Sequence, residues 1–149
     1  MAEFPTRRLR RLRRTGPLRE MLASVRLARE ELIAPLFVRR GEGLQREIPS
    51  MPGQYQYSVD TALEAAQRLA GKGLRGVLLF GIPETKDAVG SGAWDEQGPV
   101  QTLCRRLKAE LPELVVITDV CLCEYTDHGH CGPVRRRKDG TAEVDNDAA

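Results

Sequence analysis

The chain has 149 residues, enough for one domain with its own core and too few for two. Its 41% hydrophobic and 30% charged residues are globular values, which exclude wholesale disorder. No apolar run approaches the roughly 20 residues of a membrane span, and no apolar segment follows the charged N-terminus as a secretory signal would require, so a cytoplasmic protein is the default.

The net charge of +2 hides an asymmetry. Arg7, Arg8, Arg10, Arg11, Arg13, Arg14 and Arg19 crowd the start, and Arg135, Arg136, Arg137 and Lys138 form a second basic knot. A basic arm can contact nucleic acid or an acidic membrane surface. No aromatic residues are interleaved for base stacking, which favours a solvated or subunit-contacting arm.

In chain order, Pro17 opens a predicted helix with Leu18, Met21, Leu22 and Val25 at helical spacing. Leu32 to Val38 reads as a strand, with Pro35 tolerable at its edge or beginning. Residues 41–57 read as a loop. A second helix runs from Ser58, as N-cap, to Gly71 or Gly73. Leu74 to Gly81 is apolar on both parities, as a parallel strand covered on both faces would be. A third helix starts near Pro99, carries Val100, Leu103, Cys104, Leu107 and Leu111 on one stripe, and stops at Pro112. Leu114 to Cys123 is a third strand of the buried kind.

The order strand, helix, strand, helix, strand, with long crossovers, predicts an α/β fold with a parallel sheet. Both an open doubly wound sheet and a (β/α)8 barrel begin this way. No glycine-rich phosphate fingerprint follows any strand, which argues against a Rossmann-type domain. The connections 41–57 and 82–98 are long, and long connections tend to be functional. Both leave C-terminal strand ends, where α/β folds build their sites, and the third strand ends in the cysteines.

The segment that carries chemistry is Asp119-Val-Cys-Leu-Cys-Glu-Tyr-Thr-Asp-His-Gly-His-Cys-Gly132. On a strand, Asp119, Cys121 and Cys123 would project from one face, and Cys131 could fold back across the loop. Three thiolates suit a soft divalent ion such as zinc, with Zn–S of about 2.3 Å, and leave a fourth position for water or substrate. His128 or His130 could instead close a structural site. A lone Cys-x-Cys would more simply be buried sulfur; the third cysteine and two histidines shift the balance to metal. Asp119 either orients its loop or belongs to the site, and Trp94 is a lid residue or a loop anchor. Cys104 lies on an apolar stripe and reads as core.

This segment closely resembles the metal signature of zinc-type porphobilinogen synthases (5-aminolevulinate dehydratases). RRLRRL followed by PLREM, then LIAPLFV, IPSMPGQ, LFGIP, GSGAW and DNDA are similar to the same family, over roughly residues 7–147. The resemblance implies a (β/α)8 barrel with an N-terminal arm that embraces a neighbouring subunit, commonly in a homo-octamer. It implies a hydro-lyase that condenses two 5-aminolevulinate molecules, with loss of two waters, to porphobilinogen in tetrapyrrole (haem) biosynthesis. It places a catalytic zinc on Cys121, Cys123 and Cys131, Asp119 in the active site, and His130 at a second metal in some members, magnesium being the further ion to consider. Residues 1–30 would then be the arm and 31–149 the first part of the barrel, about three strands.

The implied chemistry needs Schiff-base lysines. Lys72, Lys86, Lys108 and Lys138 are the lysines present, and none is expected at a strand's C-terminal end. In the family those lysines, and the arginines that hold substrate carboxylates, come from the later half of the barrel. The chain is therefore expected to be a truncated product or a fragment, inactive alone and marginally folded. Asp127 stands where many relatives carry a small hydroxyl residue, and the stretch before DNDA is longer than in the family. Two other readings are a small zinc module with basic arms on nucleic acid, and an inactive assembly partner of full-length synthase.

Overall fold

The computed structural model describes residues 10–148; Arg7 and Arg8 of the basic start lie outside the described residues. The frame is a parallel pair. Strand β1 (Ile33–Arg39) lies beside β4 (Gly76–Ile82), in register from Ile33 opposite Gly76 to Arg39 opposite Ile82. Strand β5 (Val115–Thr118) adds in parallel on the far side of β4. The crossovers are helices α2 (Val59–Gly71) and α3 (Pro99–Glu110), as the sequence predicts.

Both helices cover one face of the sheet. Leu36, Val38, Val77 and Leu79 point into it and meet Ala62, Leu63 and Ala66 of α2 and Leu103 and Leu107 of α3. The opposite face carries Phe37 stacked on Phe80, with ring centroids 5.3 Å apart, and these residues are only half-buried. Chain direction at the helix ends follows familiar rules. Pro99 sits in the first turn of α3. Helix α2 ends through Gly73, whose φ of +95° puts it in the left-handed region and lets Leu74 N–H reach the Leu69 carbonyl at 3.2 Å.

The structure corrects or completes several expectations. Residues 41–57 are not simply a loop: they contain β2 (Gln45–Glu47) and β3 (Tyr55–Tyr57). Strand β3 pairs in parallel with β1, and β2 is antiparallel to β3, so the sheet is mixed and five-stranded, in the order β2-β3-β1-β4-β5. Unpaired backbone groups on the β1 edge favour such additions, and tyrosines suit a pleated surface. Ser58 does stand at the N-cap, yet its hydroxyl makes no cap bond. It is fully buried and accepts the Leu44 N–H at 2.8 Å, while Thr61 Oγ1 donates to the Leu44 carbonyl at 2.5 Å. Together they fasten the added strands to the start of α2.

The third expected strand is shorter than Leu114 to Cys123, since the ladder ends at Thr118. Asp119 N–H still reaches the Leu79 carbonyl at 3.3 Å, but the Asp119 carboxylate then accepts the Cys121 N–H at 3.2 Å. That local bond competes with the ladder and turns the chain out of the sheet. The helix after Pro17 is also short: α1 (Gly16–Met21) does not reach Val25. Among the described residues its apolar stripe does not join the core, and Met21, Leu22, Val25 and Leu27 are exposed. Finally, the basic knot is a hairpin of β6 (Val134–Arg136) and β7 (Ala142–Val144), in which Glu143 pairs with both Arg135 and Arg137.

Among the described residues, no helix is long and apolar enough to cross a membrane. Leu79 is the test of the core. It is 1% exposed at the junction of the sheet and both helices. Leu79→Ala is expected to cost about 2–5 kcal/mol in urea unfolding, by lost burial and the cavity left behind.

Candidate metal centre

Because β1, β4 and β5 run parallel, their C-terminal ends share one side of the sheet, and the segments 82–98 and 119–132 both leave from it. The cysteines meet there. Their sulfurs lie within 4.8 Å of one another, Cys121 and Cys123 half-buried and Cys131 exposed. They are brought together by turns and not by strand alternation. Leu122 O accepts the N–H groups of Tyr125 at 2.9 Å and Thr126 at 3.0 Å, and the chain returns so that Cys131 Sγ is 3.0 Å from Cys121 Sγ.

Backbone amides point at these sulfurs. Leu122 N–H donates to Cys131 Sγ at 3.3 Å, and Cys123 N–H donates to Cys121 Sγ at 3.4 Å. The hydrogen bond with Cys131 pushes the Cys121 thiol up to about 12, and the same bond, helped by the Leu122 N–H, pulls Cys131 down. Of the two, Cys131 is thus the readier to lose its proton. A cation entering here would displace the protons of the thiols that bind it. Three sulfurs that converge, with amides already donating to two of them, form a donor set that fits a soft divalent ion.

Asp119 and Glu124 flank the thiols, with a carboxylate oxygen of each within 4.8 Å of Cys121 Sγ. Glu124 Oε2 is shielded from solvent and, among the described residues, has no hydrogen-bond partner. The histidines do not join the sulfurs. His128 and His130 stack, with ring centroids 5.6 Å apart. His128 Nδ1 accepts the His130 N–H at 3.1 Å, so Nε2 carries the proton and donates it to the Ala88 carbonyl at 3.1 Å. Trp94 lines a cleft of about 470 Å³ together with Asp119, Cys121, Gln101 and Arg105. Cys104 borders the same cleft and packs on the core. Lys72 closes α2, Lys108 in α3 donates to the Pro112 and Leu114 carbonyls, and no lysine stands at the end of β1, β4 or β5.

Sequence reasoning passed over the residues that seat this loop. Tyr125 lies over Gly81 of β4, where a Cβ would overlap its hydroxyl oxygen, and its ring also rests on Gly92. Thr126 is fully buried and donates to the His130 carbonyl at 2.8 Å. Asp87 accepts the N–H groups of Val89 at 2.9 Å, Gly90 at 2.6 Å and Ser91 at 3.1 Å, and the Ser91 hydroxyl as well. The spacing Asp87-x-x-Gly-Ser is the one available signal, that of an aspartate turn.

These donors, led by the Ser91 hydroxyl, hold the Asp87 carboxyl down to about 2. A depressed carboxylate stabilises the folded state above its unfolded value, near 3.9, and that contribution is lost as pH falls through the folded value. NMR titration of the Asp87 side-chain carboxyl carbon should therefore show a midpoint close to pH 2, and a midpoint near 4 would mean that the turn does not persist in solution.

Comparison with known proteins places this geometry. The family model described as delta-aminolevulinic acid dehydratase matches residues 6–149. A delta-aminolevulinic acid dehydratase of Methanothermus sociabilis is 49% identical over 136 residues, covering 91% of this chain and 42% of the relative. One from Methanothermobacter thermautotrophicus is 52% identical over 134 residues, covering 89% of this chain and 41% of the relative. Among solved structures, the Toxoplasma gondii delta-aminolevulinic acid dehydratase (porphobilinogen synthase), in complex with the reaction product porphobilinogen, superposes with a TM-score of 0.80 at 28% identity. The match covers 93% of this chain and 40% of that one. The chain thus spans about 40% of the length of these relatives. With the family model matched from residue 6 onward and relatives about half identical along most of its length, the chain belongs to the delta-aminolevulinic acid dehydratase family.

Proposed function

We propose that this chain is the metal-holding portion of a porphobilinogen synthase, the hydro-lyase that joins two 5-aminolevulinate molecules into porphobilinogen with loss of two waters. The observation that carries the reading is the convergence of Cys121, Cys123 and Cys131 at the C-terminal side of a parallel sheet, in a chain of this family. Those three thiolates would hold the ion, and zinc is the metal that best suits a trigonal sulfur set with one position left over. When bound, it would supply a Lewis acid that draws electron density from the substrate and eases proton loss.

The chain's own residues have separable tasks. Asp119 spends one carboxylate oxygen on the Cys121 N–H, and among the described residues no hydrogen bond reaches the other, which is available to orient a substrate amine or hold its proton. Trp94 and Arg105, on the same cleft as Asp119, would wall it from solvent. His130 stands outside the sulfur group, so a second ion there, magnesium included, would draw its other ligands from elsewhere in the assembly. The Schiff-base lysines would come from the part of the family's length that this chain does not span.

The same reading covers architecture. The parallel strands β1, β4 and β5 would open a (β/α)8 barrel, with the half-buried Phe37–Phe80 face turned to its interior and β5 presenting its free edge to the next strand. Residues 1–30 would form the arm and 31–149 the barrel segment. The exposed apolar residues Met21, Leu22, Val25 and Leu27 suit an arm that lies on another subunit of a homo-oligomer, an octamer by family resemblance. Free thiols at the site suit the reducing cytoplasm.

Zinc binding is the test. The purified chain should take up one zinc per molecule by elemental analysis, with affinity that rises with pH because the ligating thiols must lose their protons. Cys121→Ser, Cys123→Ser and Cys131→Ser should each weaken binding by at least about 100-fold, because each removes a sulfur from the ion itself, a larger loss than the roughly 10–100-fold typical when a group that only orients a ligand is removed. Unchanged zinc affinity in all three variants would reject the site.

A further inference from the structure

We infer that Asp87 is a positioning residue for the cysteine site: the turn it builds in the 82–98 segment is the bed on which the 121–131 loop is laid. This rests on the metal reading above and adds a residue from a different strand connection. The two segments are hydrogen-bonded like a short parallel pair. Asp87 N–H donates to the Tyr125 carbonyl at 3.3 Å, Asp127 N–H donates to the Asp87 carbonyl at 3.0 Å, and Asp87 is bridged to Thr126. Three residues of the cysteine loop are thereby indexed against one aspartate.

The Asp87 side chain then fixes what lies under that loop. By accepting three successive amides and the Ser91 hydroxyl it curls residues 87–91 into a tight turn. Gly90, at φ +73°, is the buried floor of the turn. A Cβ there would come within 3.3 Å of Thr126 Cγ2 and of Tyr125 Cβ, so the loop is seated on the bare glycine backbone. From Thr126 the path is short: its hydroxyl donates to the His130 carbonyl at 2.8 Å, and the next residue is the ligand Cys131. His128 makes a second strut, from Nε2 to the Ala88 carbonyl. Of the three cysteines, Cys131 is the one distant in sequence from the strand end, and its placement depends on this path.

Outer groups that orient metal ligands typically contribute 10–100-fold in affinity. The full chain and its Asp87→Ala variant would be titrated with cobalt(II), read by the thiolate-to-cobalt absorption, and then competed with zinc. Amide exchange of residues 125–131 would be followed in the metal-free proteins. The expected result is metal affinity about 10–100-fold weaker in Asp87→Ala, with faster exchange at Thr126 and Cys131. Leu63→Ala, a core change in α2, controls for general loss of stability and should leave cobalt affinity unchanged. Wild-type affinity in Asp87→Ala, or an equal loss in Leu63→Ala, overturns the inference. Should Asp87→Ala not fold, Ser91→Ala removes only the hydroxyl contact to the same carboxylate; it should weaken cobalt binding several-fold, and wild-type affinity there overturns the inference equally. A wild-type chain that binds neither cobalt nor zinc overturns the metal reading, and this inference with it.

Discussion

Everything at the cysteine site depends on the parallel register of β1 and β4. Seven residues of each strand are paired in step, and helices α2 and α3 bury their common face. Parallel pairing forces each connection to cross back over the sheet, so every strand ends on the same side. Once β5 joins β4 in the same sense, the 82–98 and 119–132 segments must leave the sheet as neighbours. Their hydrogen bonds are a consequence of that adjacency. A slip of β4 by one residue against β1 would move Val77 and Leu79 off the helices and carry Gly81 away from Tyr125.

What the sheet brings together is a concentration of negative charge in waiting. Three thiols and two carboxylates crowd a small space, with Cys121 and Cys131 in sulfur–sulfur contact and one oxygen of Glu124 shielded and, among the described residues, unpartnered. Were all of them ionised without a counter-ion, they would repel one another. Protonated thiols are one solution to that problem. A divalent cation is the other: it would displace the protons of the thiols that bind it and supply two positive charges in their place. The fixed loop geometry limits how much structure must form when the exchange occurs. Its order comes from backbone bonds to Asp87 and from the seat on Gly90 and Gly81, and none of these involves the thiols.

The fold was legible where pattern and period suffice. The apolar stripes of α2 and α3 and the doubly buried run of β4 mark themselves, and the three cysteines could be grouped before any coordinate was known. The way in which they are grouped could not be read. Strand alternation from Asp119 to Cys123 was the economical assumption, and it fails because one side-chain bond, from the Cys121 amide to Asp119, ends the ladder at Thr118. Strands β2 and β3 escaped for a related reason. Three-residue strands carry too short a pattern to be seen, and they exist because the β1 edge needs partners. Asp87 and Thr126 looked like ordinary polar loop residues. Their roles arise from contact between two connections some forty residues apart, which no local signal encodes.

The unfinished surfaces carry the last step. Among the described residues, β5 pairs only with β4, leaving a row of backbone groups at one edge, and the Phe37–Phe80 face has no covering layer. Val115 and Ile33 are more than half exposed along the N-terminal ends of those strands. Soluble sheets rarely leave such an edge and such a face together, since each invites association. The site, by contrast, is ordered locally: its loop is held by hydrogen bonds within 119–132 and to the 82–98 segment, with Tyr125 packed over Gly81 of β4. The two halves of the problem are thus physically separate. On the proposed reading, metal capture would depend on contacts already made, whereas enclosing a substrate would depend on covering the opposite face. The two requirements can then be separated by experiment, because the cobalt and zinc titrations read the first without the second.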